Sequence, residues 1–355
     1  MDRRSLHIIT GWLFLFLLSL STARAENRGS RQVTDMTGRT VTIPTEINRV
    51  FTDRFASLPV FALDATISCN YTFTINEVAG KFISSDYYTN KVFAESSIEE
   101  ILKQHPDIII LGDMTGSNLN PDELQKKLKI PVIVITFRLE DYPETFRFLG
   151  DVLNLPDKSG QIVDFLKRYI LPLQTATSAL PVDKRPRVYY AEGLKGLNTE
   201  PSGSIHSQVL DYLHAVNVAK VQINGMHGMA LVSLEQIMQW NPDVVLVWSG
   251  MPSGIKIGTN QPAEGSTMDN ILSSPHWKTI NALKRKQVYQ IPALPFGWFD
   301  RPPGSNCIAG VIWTAKTLYP ELVPFDSGKA LTEYFKLFYH TEITPSQLRQ
   351  ILSGE

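Results

Sequence analysis

The chain reads as an α/β protein of two lobes, each built on a central, mainly parallel sheet, the two joined by one long helix with a ligand cleft between them. Three observations predict this. A helix-to-strand unit occurs twice, at residues 97–111 and 233–247. The strand in each copy is a continuous apolar run (Ile108-Ile109-Ile110-Leu111 and Val244-Val245-Leu246-Val247), the pattern of a strand covered on both faces. Roughly 330 residues follow an N-terminal leader, more than one ordinary core organises.

The leader is residues 1–25. Arg3 and Arg4 make a basic start, an apolar run extends from Ile8 to Leu20, and Ala23-Arg24-Ala25 places small residues where a signal peptidase reads. That run is shorter than the ~20 residues a membrane-spanning helix needs, which favours a cleaved signal over an anchor. No Cys follows it, so lipid attachment is not expected, and the mature chain is expected to begin near Glu26. Loss of residues 1–25 removes three Arg and one Asp and moves the formal charge from −1 to −3. Such a balance offers no footprint for nucleic acid or an anionic membrane. Cys69 and Cys307 remain; an oxidising compartment permits a disulfide, and two buried thiols are the other reading.

Along the mature chain, residues 33–44 alternate around a turn at Asp35 to Gly38 and predict a hairpin. A short strand, Arg49 to Thr52, leads into a helix start at Asp53 to Leu63. In the first repeat Ser97 pairs with Glu100 as a capping box, and in the second Ser233 pairs with Gln236. Pro106 and Pro242 end the two helices, because a residue before proline resists the helical conformation. Residues 131–136 are a further strand. Helical periodicity from Tyr142 to Leu180, restarting at Leu155-Pro156-Asp157, includes a segment long enough to bridge two lobes. This places a first lobe at 33–141, a helical connection at 142–185 and a second lobe at 186–355. The second lobe holds strands at 187–190 and 287–291 and helices near 307–318, 327–339 and 345–352.

With these elements in order, the chain resembles the periplasmic substrate-binding proteins of iron-siderophore, haem and cobalamin ABC importers, in which two Rossmann-like lobes are joined by a single long helix. The residues of the resemblance are Val33-Thr34-Asp35 with Gly38-Arg39-Thr40-Val41, Arg49-Val50, the paired Glu and Pro-Asp units, Asn217-Val218-Ala219, Val288-Tyr289, and Trp313 with Ala315-Lys316. The resemblance implies a monomeric periplasmic carrier that captures a metal chelate, iron favoured, and delivers it to a permease with its ATPase. No resident cofactor is implied. Cobalamin, haem, a nickel–metallophore or a molybdate-type oxyanion are the other cargoes. It also implies that Glu99 and Glu235, one per lobe, dock onto permease arginines; on residue chemistry alone each equally suits the positive end of its helix.

Ligands of open parallel sheets bind beyond the carboxyl ends of the strands. In the first lobe those loops hold Arg54, Phe55, Tyr71 and Tyr88, with Met114 near the end of the repeat strand. In the second they hold Tyr190, Lys195, His206, His227, Trp248, Trp298 and Arg301. Phe296-Gly297-Trp298-Phe299-Asp300-Arg301 reads as an aromatic wall with one fixed cation, or else as a core cluster beneath a loop. His206, beside a helix start, and His227 are the candidate metal-completing imidazoles, although no paired spacing supports a closed metal site. The sequence holds no Gly-x-Ser-x-Gly elbow, P-loop or His-Glu-x-x-His, and a periplasmic hydrolase has no constellation to rest on.

Overall fold

In the computed structural model, residues 29–94, 97–113, 120–222, 229–248 and 266–353 are described. The leader, Met114 and His227 lie outside them. The first lobe opens with the antiparallel hairpin β1 (Ser30–Thr34) and β2 (Thr40–Pro44), followed by β3 (Val50–Thr52) and α1 (Ser57–Leu63). Short parallel strands β4 (Asn70–Tyr71) and β5 (Val92–Phe93) precede α2 (Ile98–Gln104), β6 (Ile108–Gly112), α3 (Pro121–Leu128) and β7 (Val132–Ile135). The central sheet has the parallel order β3-β6-β7, and a bridge from Val50 to Ser68 adds the β4 side. Buried Asp35 fastens the hairpin tip to the far edge, accepting from the Val134 N–H at 3.1 Å and pairing with Arg39 at 2.9 Å.

The connection is α4 (Tyr142–Val152), α5 (Pro156–Phe165), a π turn (Leu166–Ile170) and α6 (Leu171–Ser178), the last three running end to end. From Pro156 to Ser178 they span about 35 Å at 1.5 Å per residue. Pro172 explains the π turn. It has no N–H for the carbonyl four residues back, and its ring would strike that carbonyl, so the helix widens by one residue just before it.

The second lobe contains β8 (Arg187–Ala191), β9 (Asn198–Thr199), α7 (Gln208–Tyr212), β10 (Val216–Asn217), β11 (Ala230–Leu231), α8 (Leu234–Trp240) and β12 (Val244–Val247). It continues through α9 (Thr267–Ser273), α10 (Asn281–Lys284) and β13 (Val288–Gln290). Its sheet is parallel in the order β10-β8-β12-β13. Helices α11 (Cys307–Leu318), α12 (Ser327–Phe338) and α13 (Pro345–Ser353) close the chain. The chain end returns to the first lobe and the connection. The Phe338 ring meets those of Phe146 and Phe165 at 5.8 and 5.6 Å, and the Ser84 N–H donates to the Tyr339 carbonyl. One buried apolar cluster accordingly runs through both lobes.

The two repeats fold alike. α2 and α8 begin and end at matching positions, each closed by a left-handed residue, His105 (φ 47°) and Asn241 (φ 44°). Residues 97–111 and 233–247 share one sequence of exposed, half-buried and buried positions throughout. The caps differ from the expectation. Ser233 accepts from the Gln236 N–H at 3.1 Å, whereas the Ser97 side chain makes no cap bond and Glu100 turns to Lys103. Cys69 and Cys307 are both free and buried, the latter within 2.9 Å of the Phe299 carbonyl.

Candidate functional site

Strand order locates the site. In the second lobe the chain leaves β8, builds β10 on one side and β12 on the other, so the order reverses between β8 and β12. In the first lobe it leaves β3, extends to β4 on one side and β6 on the other. Loops diverge above such reversals and leave a crevice at the carboxyl ends of the two strands.

At the first reversal sits buried Asp53, immediately after β3. Its Oδ1 accepts from the N–H groups of Phe55 and Ala56 at 3.0 and 2.9 Å, and its Oδ2 from Gly112 at the end of β6 at 3.0 Å. One carboxylate thus ties the β3–α1 turn to the neighbouring strand, while burial pushes its pKa up to about 6 against the pull of those hydrogen bonds. The turn holds Arg54 exposed and stacks half-buried Phe55 on Phe137 at 4.8 Å. A Cβ on Gly112 would overlap Phe55, so only glycine fits there. Asn70, also buried, donates to the carbonyls of Thr52 and Ala94 at 2.8 Å and links β3 to the short strands. Tyr71 packs half-buried on Tyr87 and Phe93, and Tyr88 is half-buried nearby.

At the second reversal lies Arg301. Its Nη1 pairs with Glu192 Oε1 at 2.5 Å and with Asp300, and its Nη2 with Glu200 Oε1 at 3.1 Å. The guanidinium carbon lies 4.7 Å from the Trp248 ring centre. Glu192 follows β8 and Trp248 follows β12, joined by the Trp248 N–H donating to the Ala191 carbonyl at 2.9 Å. The Tyr190 hydroxyl donates to Asp300 at 2.9 Å, and His206 Nδ1 lies 3.1 Å from the other Asp300 oxygen, off the line of a hydrogen bond.

Burial separates this cluster into two layers. Glu192, Glu200, Asp300 and Tyr190 are wholly enclosed, whereas Arg301, His206 and Trp248 keep 7%, 8% and 6% of their surface. The lower layer positions the upper. Glu200 accepts from Ser204 Oγ and from the Met229 N–H, both at 2.8 Å, and Ser204 in turn accepts from the His206 N–H. Burial opposes the Arg301 charge, but Asp300, Glu192 and Glu200 outweigh it and hold the guanidinium firmly protonated. Burial raises Glu192 far above the usual carboxylate range, Arg301 countering only part of it.

The structure therefore brings Arg301, Trp248 and His206 together, with Tyr190 reaching them through Asp300. It places Trp298 elsewhere. That ring is fully enclosed, its N–H satisfied by the Leu294 carbonyl at 2.9 Å, and with Phe299 it belongs to the core. Of the expected aromatic wall, Phe296 is the residue at the seam, meeting Phe73 and Tyr87 of the first lobe at 5.8 and 5.7 Å. Lys195 is exposed on the turn after β8 between Gly193 and Gly196, both at positive φ. Among the described residues no group of three or more His, Cys, Asp or Glu is arranged to hold a metal ion. Sequence reasoning did not give Asp53 the part of an anchor, nor Glu192, Glu200 and Asp300 that of partners to Arg301; the acidic residue directly after the first strand of each central sheet, Asp53 and Glu192, was the available sign. The arrangement sets a fixed guanidinium, an imidazole and an indole side by side, each with a little surface free, as the directed polar and aromatic groups of a ligand pocket are.

Comparison with known proteins bears on the family and the fold. The profile of the family described as "Periplasmic binding protein" matches residues 77–294. The molybdate-binding protein MolA of Haemophilus influenzae is 26% identical over 92% of this chain and 95% of its own length. The Fe(3+)-citrate-binding protein YfmC of Bacillus subtilis is 24% identical over 76% of this chain and 80% of its own. An ABC transporter solute-binding protein from Sulfurospirillum deleyianum superposes with a TM-score of 0.80 at 26% identity, covering 91% of this chain and 99% of that one.

Proposed function

The chain belongs to the periplasmic binding protein family, and from that premise we infer that it captures a small anionic metal compound, a molybdate-type oxyanion, in the second-lobe crevice. As a member of the family it is the substrate-binding component of an ABC importer, a carrier that works with a permease and an ATPase. The cargo is the further step, and one observation carries it: Arg301, His206 and Trp248 converge at the strand reversal yet are each more than nine-tenths covered. A bulky chelate needs a broad accessible face, whereas a compact oxyanion needs only a few directed donors. The likeness to a molybdate-binding relative supports the same reading.

A ferric chelate, the cargo the family resemblance first suggests, is the second reading. The half-buried Tyr71 and Tyr88 at the first-lobe rim favour it, as does the ferric-citrate relative. Export through the leader at residues 1–25, action as a monomer and permease docking through Glu99 and Glu235 belong to the same proposal.

Titration of the mature protein followed by Trp fluorescence and calorimetry separates the cargoes. Molybdate and tungstate are expected to bind saturably and to change the Trp248 emission, with sulfate far weaker. Silence toward both oxyanions together with saturable binding of ferric citrate or a ferric hydroxamate overturns the oxyanion reading.

A further inference from the structure

Each repeat helix carries more than an exposed glutamate. Three residues after Glu99 stands Leu102, 45% exposed, and three residues after Glu235 stands Met238, 39% exposed. Residues three apart share a helix face, so each lobe presents a carboxylate beside a large apolar side chain. Among the described residues nine large apolar side chains are exposed, and Leu102 and Met238 are the two that stand at matching positions of the duplicated unit. Scattered exposed apolar residues need no explanation, but the same pair at equivalent positions of a duplicated unit is not scatter.

The duplication has one break. Lys103 closes on Glu99 at 2.9 Å, both side chains largely exposed, whereas the equivalent position after Glu235 is Gln239. The first-lobe carboxylate is therefore held by a cation of its own helix, whereas the second-lobe one has no such lysine and is engaged at the helix start by its own N–H and the Ser233 hydroxyl.

Resting on the docking reading above, we propose that Leu102 and Met238 are the apolar halves of two docking points for the importer's permease, and that Lys103 makes the first-lobe point the weaker. Each socket on the partner then pairs a basic side chain with an apolar depression, and two such sockets are spaced to meet both lobes at once. Engagement begins at Glu235 and Met238, and the first lobe follows once Lys103 releases Glu99.

The test uses the mature protein and its permease–ATPase complex in nanodiscs, with association followed by interferometry and cargo binding followed separately. Leu102→Ser with Met238→Ser is expected to weaken association by about tenfold or more at unchanged cargo affinity. Lys103→Gln is expected to tighten it by about two- to fivefold, the scale of an exposed ion pair. Unchanged association in the Leu102/Met238 variant, with weakening by Glu99→Gln and Glu235→Gln, overturns this inference and leaves the docking reading standing. No effect from the glutamate pair either overturns both. No effect of Lys103→Gln overturns the inequality between lobes.

Discussion

The Arg301 guanidinium lies over the Trp248 ring at 4.7 Å; Trp248 directly follows β12, whereas Arg301 stands in the loop beyond β13, more than fifty positions later in the chain. The stacking fixes one face of the fork, and the pairing with Glu192 and Glu200 fixes its two arms. Lysine keeps the charge but loses both the plane and the fork. Arg301→Lys is therefore expected to fold and to lose oxyanion affinity by about 1.5–3 kcal/mol, the worth of a charge-assisted pair. Calorimetric titration with molybdate checks it; undiminished affinity sinks the placement of the cargo at Arg301.

Removing the charge altogether tests the lower layer. Arg301→Met leaves Glu192, Glu200 and Asp300 enclosed without their counter-ion, and unpairing a buried charge costs about 3–5 kcal/mol. Burial already favours the protonated form of Glu192, so the informative second change is Glu200→Gln, which removes a buried carboxylate paired with Arg301 and is expected to restore part of the loss. Urea unfolding of the single and double variants measures the coupling; an Arg301→Met protein as stable as the parent contradicts the charge-balance account.

Asp53 makes stability depend on pH. Its native pKa of about 6 lies above the unfolded value, so between about pH 4 and 6 the folded chain holds a proton that the unfolded chain releases. The group's favourable contribution is full below pH 4 and lost as pH rises through 6, on the order of 3 kcal/mol in total. In Asp53→Asn the melting temperature should vary less over that window. The lost acceptor for the Gly112 N–H adds an offset that does not change with pH. An identical slope in variant and parent assigns the titration to another group.

Much of the frame was legible because local chemistry encodes it. The matched serines, the Pro-Asp turns and the apolar runs of residues 97–111 and 233–247 name two equivalent units, and their burial agrees position for position. Helix α11 spans the residues expected of it, Cys307–Leu318. The site was legible only in outline. Arg301, His206 and Trp248 follow from the rule that loops at strand ends bind, but Glu192 and Glu200 lie 109 and 101 residues from Arg301 and meet it through sheet order, which no local period records. Trp298 was opaque for another reason: an aromatic residue after a strand reads the same whether it lines a cleft or fills a core.

Its place in the core makes Gly310 critical. A Cβ there would overlap the Trp298 carbonyl oxygen, which is backbone and cannot swing aside. Gly310→Ala should destabilise by about 3 kcal/mol, as overpacking of a rigid contact does. The 296–301 loop rests on α11, so cargo affinity should fall with it. Denaturant melts and the same titration read both effects, and parental stability would refute the contact.

Glu99 and Glu235 occupy the same turn of equivalent helices, one in each lobe, and both are exposed. Near a helix N-terminus each contributes only a few tenths of a kcal/mol to about 1 kcal/mol to its own helix, so their loss should be tolerated by the fold. A permease gripping both lobes would feel the loss twice. Glu99→Ala with Glu235→Ala is therefore expected to abolish cargo uptake in cells or proteoliposomes while cargo affinity and melting temperature stay close to the parent. Each single variant should retain part of the uptake, with Glu235→Ala the more damaging because Lys103 already occupies Glu99. Normal uptake by the double variant removes these residues from the docking surface and returns them to the simpler role of helix N-terminal charges.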